Sequence, residues 1–194
     1  IEDDFNTELR YRIAPQPTLS TLAPAADVLT LGTFSTLLSR ELAAGYVVAS
    51  PATVARLKEI RGVLGMPVAT VTQRAIASLL HGGVVRRNTR AVHRALAQRR
   101  QVLQDCLVPL FDDACLAPGD GADLTVQFSS HLARDAFETR LLEAGIECGH
   151  ESSLWTDGGD GLVLSFAHLS DGDFAGAVDQ VTRAATLGRA QTST

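Results

Sequence analysis

The sequence predicts an α/β protein that closes with a small α+β unit. Three features carry that expectation. In the first half, short apolar runs rich in β-formers, at residues 28–34 and 45–50, precede helical stretches. A long amphipathic stretch then follows the Gly82-Gly83 pair. Beyond Pro118-Gly119-Asp120-Gly121 the pattern changes to β-α-β-β-α over the remaining residues.

The elements follow in order. Ile1-Glu2-Asp3-Asp4-Phe5 reads as the end of a buried strand entering an acidic loop. Pro15, Pro17 and Pro24 make residues 13–26 an extended or turning connection in which helix does not persist. Val28 to Phe34 is a buried strand, and Gly45 to Ser50 is another. Ser50-Pro51 starts a helix, with the serine as N-cap and the proline at the first helical position, where a missing N–H costs nothing. Val54, Leu57, Ile60 and Leu64 form its apolar stripe, which leaves Lys58 facing solvent. A second helix spans residues 67–80 and stops at Gly82-Gly83. Val85, Val92, Leu96, either Val102 or Leu103, either Cys106 or Leu107, and Leu110 give the following long helix its apolar face. Leu124, Val126 and Phe128 alternate as a strand; residues 132–144 are helical, 146–148 and 162–166 are strands, and 174–187 form the last helix behind Ser170-Asp171-Gly172-Asp173 as its cap. No internal repeat or low-complexity segment interrupts this order.

Composition narrows the function. The chain has 194 residues, 45% of them hydrophobic, which is material for one or two globular units at roughly 100–200 residues each. A formal net charge of -5 argues against a chain-wide nucleic-acid surface, because phosphate binding needs clustered positive charge. No apolar run approaches the roughly 18–20 residues that span a bilayer, and the acidic start is the reverse of a signal peptide. The expectation is a soluble, cytoplasmic protein without a membrane partner. Cys106, Cys115 and Cys148 show no metal or redox spacing and read as reduced structural thiols.

Other constellations have plain structural readings. Arg86, Arg87, Arg90, Arg94, Arg99 and Arg100 read as the solvated face of the long helix, since no aromatic residues interleave with them. His81, His93, His131, His150 and His168 lack metal-ligand spacing, so no metal is expected. Ser35 has no nucleophile-elbow glycines around it. Gly158-Gly159-Asp160-Gly161 reads as a hairpin turn, with Trp155 close by as a core residue.

Two blocks carry a family resemblance. Glu2-Asp3-Asp4-Phe5-Asn6-Thr7-Glu8-Leu9-Arg10-Tyr11, and Gly32-Thr33-Phe34-Ser35 followed by Gly45-Tyr46, resemble E-D-D-Y-D-S-E-F-R-Y and G-T-F-S-K-T-L-x-P-x-L-R-x-G-Y. These are motifs of the aminotransferase-like, effector-sensing domain of MocR-type regulators, a branch of the GntR transcription factors. The likeness continues through Arg86, Arg90, Arg99 and Arg100 and through Leu164 to Ser170. It implies the C-terminal part of a fold-type I aminotransferase-like domain: residues 1–82 from the large domain, 83–117 a long connecting helix, and 118–194 a small α+β domain. It further implies that an earlier strand and a winged helix-turn-helix lie upstream of Ile1, so that the chain is expected to be a piece of a longer protein.

The departures from the motif matter as much as the matches. The family's Schiff-base lysine falls at Thr36, which has no amine and cannot condense with the aldehyde of pyridoxal phosphate. The tyrosine that meets the cofactor's ring oxygen falls at Phe5, and the phosphate-clamping arginine at Ala43. Asp3 stands where the family places the carboxylate opposite the pyridine nitrogen, and Thr33 keeps a phosphate-binding hydroxyl. The single lysine, Lys58, lies on a different element from Thr36.

The resemblance therefore implies an effector-sensing and dimerisation domain of a MocR/GntR-like regulator that is not an enzyme. No catalytic residues and no cofactor are expected. A vestigial pocket framed by Asp3, Phe5, Thr33, Ser35 and Thr36 is left for a small-molecule effector, with a homodimeric partner, and with DNA reached only through the upstream helix-turn-helix. The alternative is a degenerate aminotransferase-like enzyme or subunit that binds pyridoxal phosphate noncovalently.

Overall fold

The computed structural model describes all residues except 13, 15, 66–67, 111–113, 117–118, 150–159 and 193–194. The chain divides into two compact units, residues 1–93 and 94–194. The division falls inside a single long helix.

In the first unit, strands β1 (Glu2–Asp4), β2 (Thr30–Thr33) and β3 (Gly45–Val48) form a sheet in that order. β1 and β2 run parallel with Asp3 opposite Leu31, and β2 and β3 run antiparallel with Gly32 opposite Tyr46. Between β1 and β2 the chain makes one short helix, α1 (Leu19–Leu22), capped by Thr18, whose hydroxyl accepts the Thr21 N–H at 3.4 Å. Helix does not persist beyond this one turn, which fits between Pro17 and Pro24 without placing a proline at an interior position. Helix α2 (Pro51–Leu64) starts as its sequence requires, the Ser50 hydroxyl accepting the Thr53 N–H at 3.3 Å with Pro51 in the first turn. Gly65 ends it in the left-handed conformation at φ 63°. Helix α3 (Thr70–His81) follows and stops at Gly82.

Burial in this unit differs from the sequence expectation. Leu37, Ala44 and Ile76 are its buried hydrophobics among the described residues. The strands expected to be buried are half-exposed: Leu31 is 36% and Val48 59% accessible. On α2, Val54 and Leu57 are half-buried while Ile60 is 43% and Leu64 64% accessible, so the apolar stripe of this helix is uncovered at its C-terminal end.

Helix α4 (Val84–Leu107) is the long amphipathic element read from the sequence. From Arg94 onward it belongs to the second unit, where Leu96, Leu103 and Leu107 are buried. There, β4 (Ala114–Leu116), β5 (Asp123–Phe128) and β6 (Gly161–Ser165) form an antiparallel sheet in that order. The alternation in β5 is strict, with Leu124, Val126 and Phe128 buried and the residues between them half-exposed. Helix α5 (His131–Glu143) buries Phe137 and Leu141, and α6 (Asp171–Thr192) buries Phe174, Val181, Ala184 and Ala185. The Ser170 hydroxyl caps α6 by accepting the Asp173 N–H at 3.2 Å.

Two strand assignments change. β4 replaces a segment read as part of a helix and its loop. Residues 146–148 form no strand; among the described residues the ladder contact there is the single pair Gly149–Val163, whose N–H and C=O groups bond in both directions at 2.9 Å. The Gly158-Gly159 half of the expected hairpin turn and Trp155 lie outside the described residues.

The arginines of α4 also divide. Arg86, Arg87, Arg90 and Arg94 are exposed as expected. Arg100 is 2% accessible and donates to the Asp123 carbonyl at 2.7 Å. Arg99 donates to the Phe166 and Leu169 carbonyls at 3.1 and 2.8 Å and pairs with Asp171 at 2.8 Å. Neither is solvated, because each guanidinium finds backbone oxygens that close-packed elements would otherwise strand.

Candidate functional site

Parallel pairing places the carboxyl ends of β1 and β2 side by side, the position where open α/β sheets accept ligands. Phe5 and Asn6 leave one strand there, and Phe34, Ser35 and Thr36 leave the other. Neighbours in register share a face. Asp3, Leu31 and Val47 therefore lie on one side of the sheet, and Asp4, Gly32 and Tyr46 on the other. By the same alternation Thr33 falls on the side of Asp3.

Of the residues singled out in the sequence, Asp3 and Phe5 are exposed, Phe5 to 59%, whereas Thr33, Ser35 and Thr36 are half-buried. The Thr33 hydroxyl oxygen accepts the Ser35 N–H at 3.0 Å, which fixes the chain as it leaves β2. The Phe34 N–H then bonds the Ala44 carbonyl at 3.0 Å and closes the loop between β2 and β3. Ala43, at the family's arginine position, is held at φ 44°, in the left-handed region that costs a side-chain-bearing residue roughly 1–2 kcal/mol. Lys58 is exposed midway along α2.

The opposite face carries groups that the sequence reading did not single out. The Tyr46 ring lies over Gly32, and its centroid is 5.1 Å from that of Phe34. Burial, and then the charges of Glu8 and Asp4, raise the Tyr46 phenol above its ordinary value. Burial, and then Asp4, likewise raise the Glu8 carboxyl. Asp4 accepts the Thr7 N–H at 3.1 Å, and the Glu8 carbonyl meets His93 Nε2 at 2.7 Å. The Tyr11 ring lies 6.2 Å from that of His93. The Gly-Tyr pair in the motif was the available signal for Tyr46; nothing in the sequence pointed to His93. Among the described residues no group of histidines, cysteines and acids is placed to hold a metal ion, and no helix is long and apolar enough to cross a membrane.

No protein-family model matches the chain. It is 35% identical to the HTH-type pyridoxine biosynthesis transcriptional regulator PdxR of Corynebacterium glutamicum, over 97% of this chain and 41% of that protein. It is 28% identical to the probable rhizopine catabolism regulatory protein MocR of Rhizobium meliloti, over 53% of this chain and 21% of the relative. Among solved structures, α-aminoadipate aminotransferase LysN from Thermus thermophilus matches with a TM-score of 0.74 at 24% identity, over 96% of this chain and 49% of the enzyme. Kynurenine aminotransferase from Pyrococcus horikoshii matches with a TM-score of 0.75 at 17% identity, over 96% and 47%. The fold is that of fold-type I aminotransferases, and the chain spans about half the length of these proteins or less.

Proposed function

We propose that the chain, which is 35% identical to a PdxR regulator over 97% of its own length, is the effector-sensing and dimerisation part of a MocR/PdxR-type transcriptional regulator and carries no catalysis through a covalently bound pyridoxal phosphate. The observation that carries this reading is the exit from β2: Thr36 stands where the motif has its lysine, and the one lysine of the chain sits exposed on α2. The residues present do not fit the cofactor. An amine, a phenol and a guanidinium are replaced together by Thr36, Phe5 and Ala43, and Asp3 and Thr33 alone leave its aldehyde without a partner.

The vestigial pocket of Asp3, Phe5, Thr33, Ser35 and Thr36 remains the place for a small effector at the carboxyl ends of β1 and β2. Loss of the cofactor leaves dimer packing intact, since such packing uses apolar faces, and Ile60 and Leu64 at the exposed end of the α2 stripe are of that kind. DNA is contacted by a helix-turn-helix elsewhere in the whole protein. The chain is also 28% identical to a 2-aminoadipate transaminase of Thermus thermophilus over 95% of its length, which supports the alternative of an enzyme-like subunit. Mobility-shift assays of the whole protein with its own upstream DNA, alongside transaminase assays with added cofactor, separate the two. DNA binding without turnover supports the regulator; cofactor-dependent amino transfer supports the alternative.

A further inference from the structure

A cavity of about 630 Å³ opens in the second unit, and it shares no residue with the vestigial pocket. Its floor is apolar: Leu103 of α4, Leu164 of β6, Phe166 just beyond it, and Phe174 and Val181 of α6 are none of them more than 9% accessible. One wall is a single face of α6, along which Gly172, Asp173, Gly176, Ala177 and Gln180 recur at helical spacing. A Cβ added at Gly172 or Gly176 would meet nothing within 4 Å, so this face leaves the space open. Another wall is the segment Gly145-Ile146-Glu147 that follows α5. It is pinned on both sides. Gly145 turns the chain at φ 79°, the Ile146 N–H bonds the Leu141 carbonyl at 2.8 Å, and Gly149 exchanges two bonds with Val163 of β6. Glu147 therefore reaches the cavity from a backbone held in place.

The lining restricts the occupant. The volume lies within the roughly 300–1,000 Å³ of pockets for small ligands, and the buried floor draws hydrocarbon in by hydrophobic transfer. Charge selects the rest. Glu147 and Asp173 reach the lining, whereas no lysine or arginine is among the described lining residues. Asp173 already accepts the Ser170 hydroxyl at 2.6 Å at the start of α6, which leaves Glu147 as the carboxylate for a guest. The Arg99 guanidinium, which lies over the Phe174 ring, is spent on Asp171 and on the Phe166 and Leu169 carbonyls. Among the described residues no group of histidines, cysteines and acids is placed to hold a metal ion, so the cation that Glu147 favours is an organic one. Glu147 is exposed at the mouth, where it meets a cation without the cost of burying both charges. We propose that this cavity binds a small primary amine with an aromatic or branched hydrocarbon body, its ammonium group on the Glu147 carboxylate and its hydrocarbon against Phe166, Phe174 and Gly176. The site stands whether or not the whole protein is a regulator.

Calorimetric titration of the chain with phenethylamine and isopentylamine tests the assignment, with phenethyl alcohol and hydrocinnamate as uncharged and anionic controls. Saturable binding of an amine is expected, with the alcohol about three- to fivefold weaker, as an ion pair at the mouth of a cavity allows, and the acid weaker still. Glu147→Gln brings phenethylamine to the level of the alcohol and leaves the alcohol unchanged. Gly176→Leu fills the cavity from a helical position with room for the added side chain, and abolishes binding of both while the circular dichroism keeps its helical signal. Absence of binding by both amines, the alcohol or the acid binding as tightly as phenethylamine, or either variant binding phenethylamine like the parent overturns the proposal.

Discussion

The phenol ring of Tyr46 closes over the α-carbon of Gly32: a methyl group at Gly32 would lie 2.2 Å from the ring carbon Cζ. This approach sets the spacing of β2 and β3 at the point where the chain turns toward Thr36. Gly32→Ala is expected to destabilise the chain by about 1–3 kcal/mol, the cost of forcing an added carbon into a packed contact. Adding Tyr46→Leu should recover part of the loss, and urea unfolding of the single and double variants measures both.

Ala43 holds a positive φ without being glycine. Ala43→Gly should therefore raise stability by about 0.5–1 kcal/mol, the strain relieved exceeding the extra entropy of the unfolded glycine. A lower unfolding midpoint for the variant would contradict the assigned backbone conformation.

Arg100 is buried with its guanidinium on the Asp123 carbonyl. Arg100→Met keeps the apolar stem but removes that donor, and should cost about 1–3 kcal/mol. Arg100→Lys retains charge without the fork and is expected to restore only a fraction of this, measured again by denaturant unfolding.

Glu8 has a raised carboxyl pKa, first from burial and then from Asp4. A group whose folded-state pKa lies above its unfolded one contributes stability below the unfolded value, here ordinarily 4.5, and loses it as pH rises through the folded pKa. Glu8→Gln should thus match the parent in acid and become the more stable of the two toward neutral pH. Spectrophotometric titration should show the Tyr46 phenol moving back toward its ordinary value in the same variant, since the Glu8 charge is one cause of its shift. A parent more stable than the variant at neutral pH contradicts this.

Particular residues show what the sequence made legible. Leu124, Val126 and Phe128 announced β5 because alternation is a local property, and Ser50-Pro51 announced α2 because capping is one too. Burial was not local. The run around Leu31 reads as a core strand, yet its exposure depends on what covers the sheet. Arg99 and Arg100 read as solvated because their acceptors, the carbonyls of Phe166, Leu169 and Asp123, are distant in sequence. β4 escaped notice because three residues are too few for a period to show. At the candidate site the motif named Asp3, Thr33 and Thr36, but that Asp3 shares a face with Thr33 and not with Tyr46 follows only from the pairing register.

Capture of pyridoxal phosphate through an amine of this polypeptide is what Thr36 at the lysine position rules out. Incubation with one equivalent of the cofactor, borohydride reduction and intact-mass measurement decide it. The expected spectrum shows the unmodified mass for the parent and for Lys58→Arg alike. A stoichiometric phosphopyridoxyl adduct, at Lys58 or at any other amine of the chain, would contradict the account.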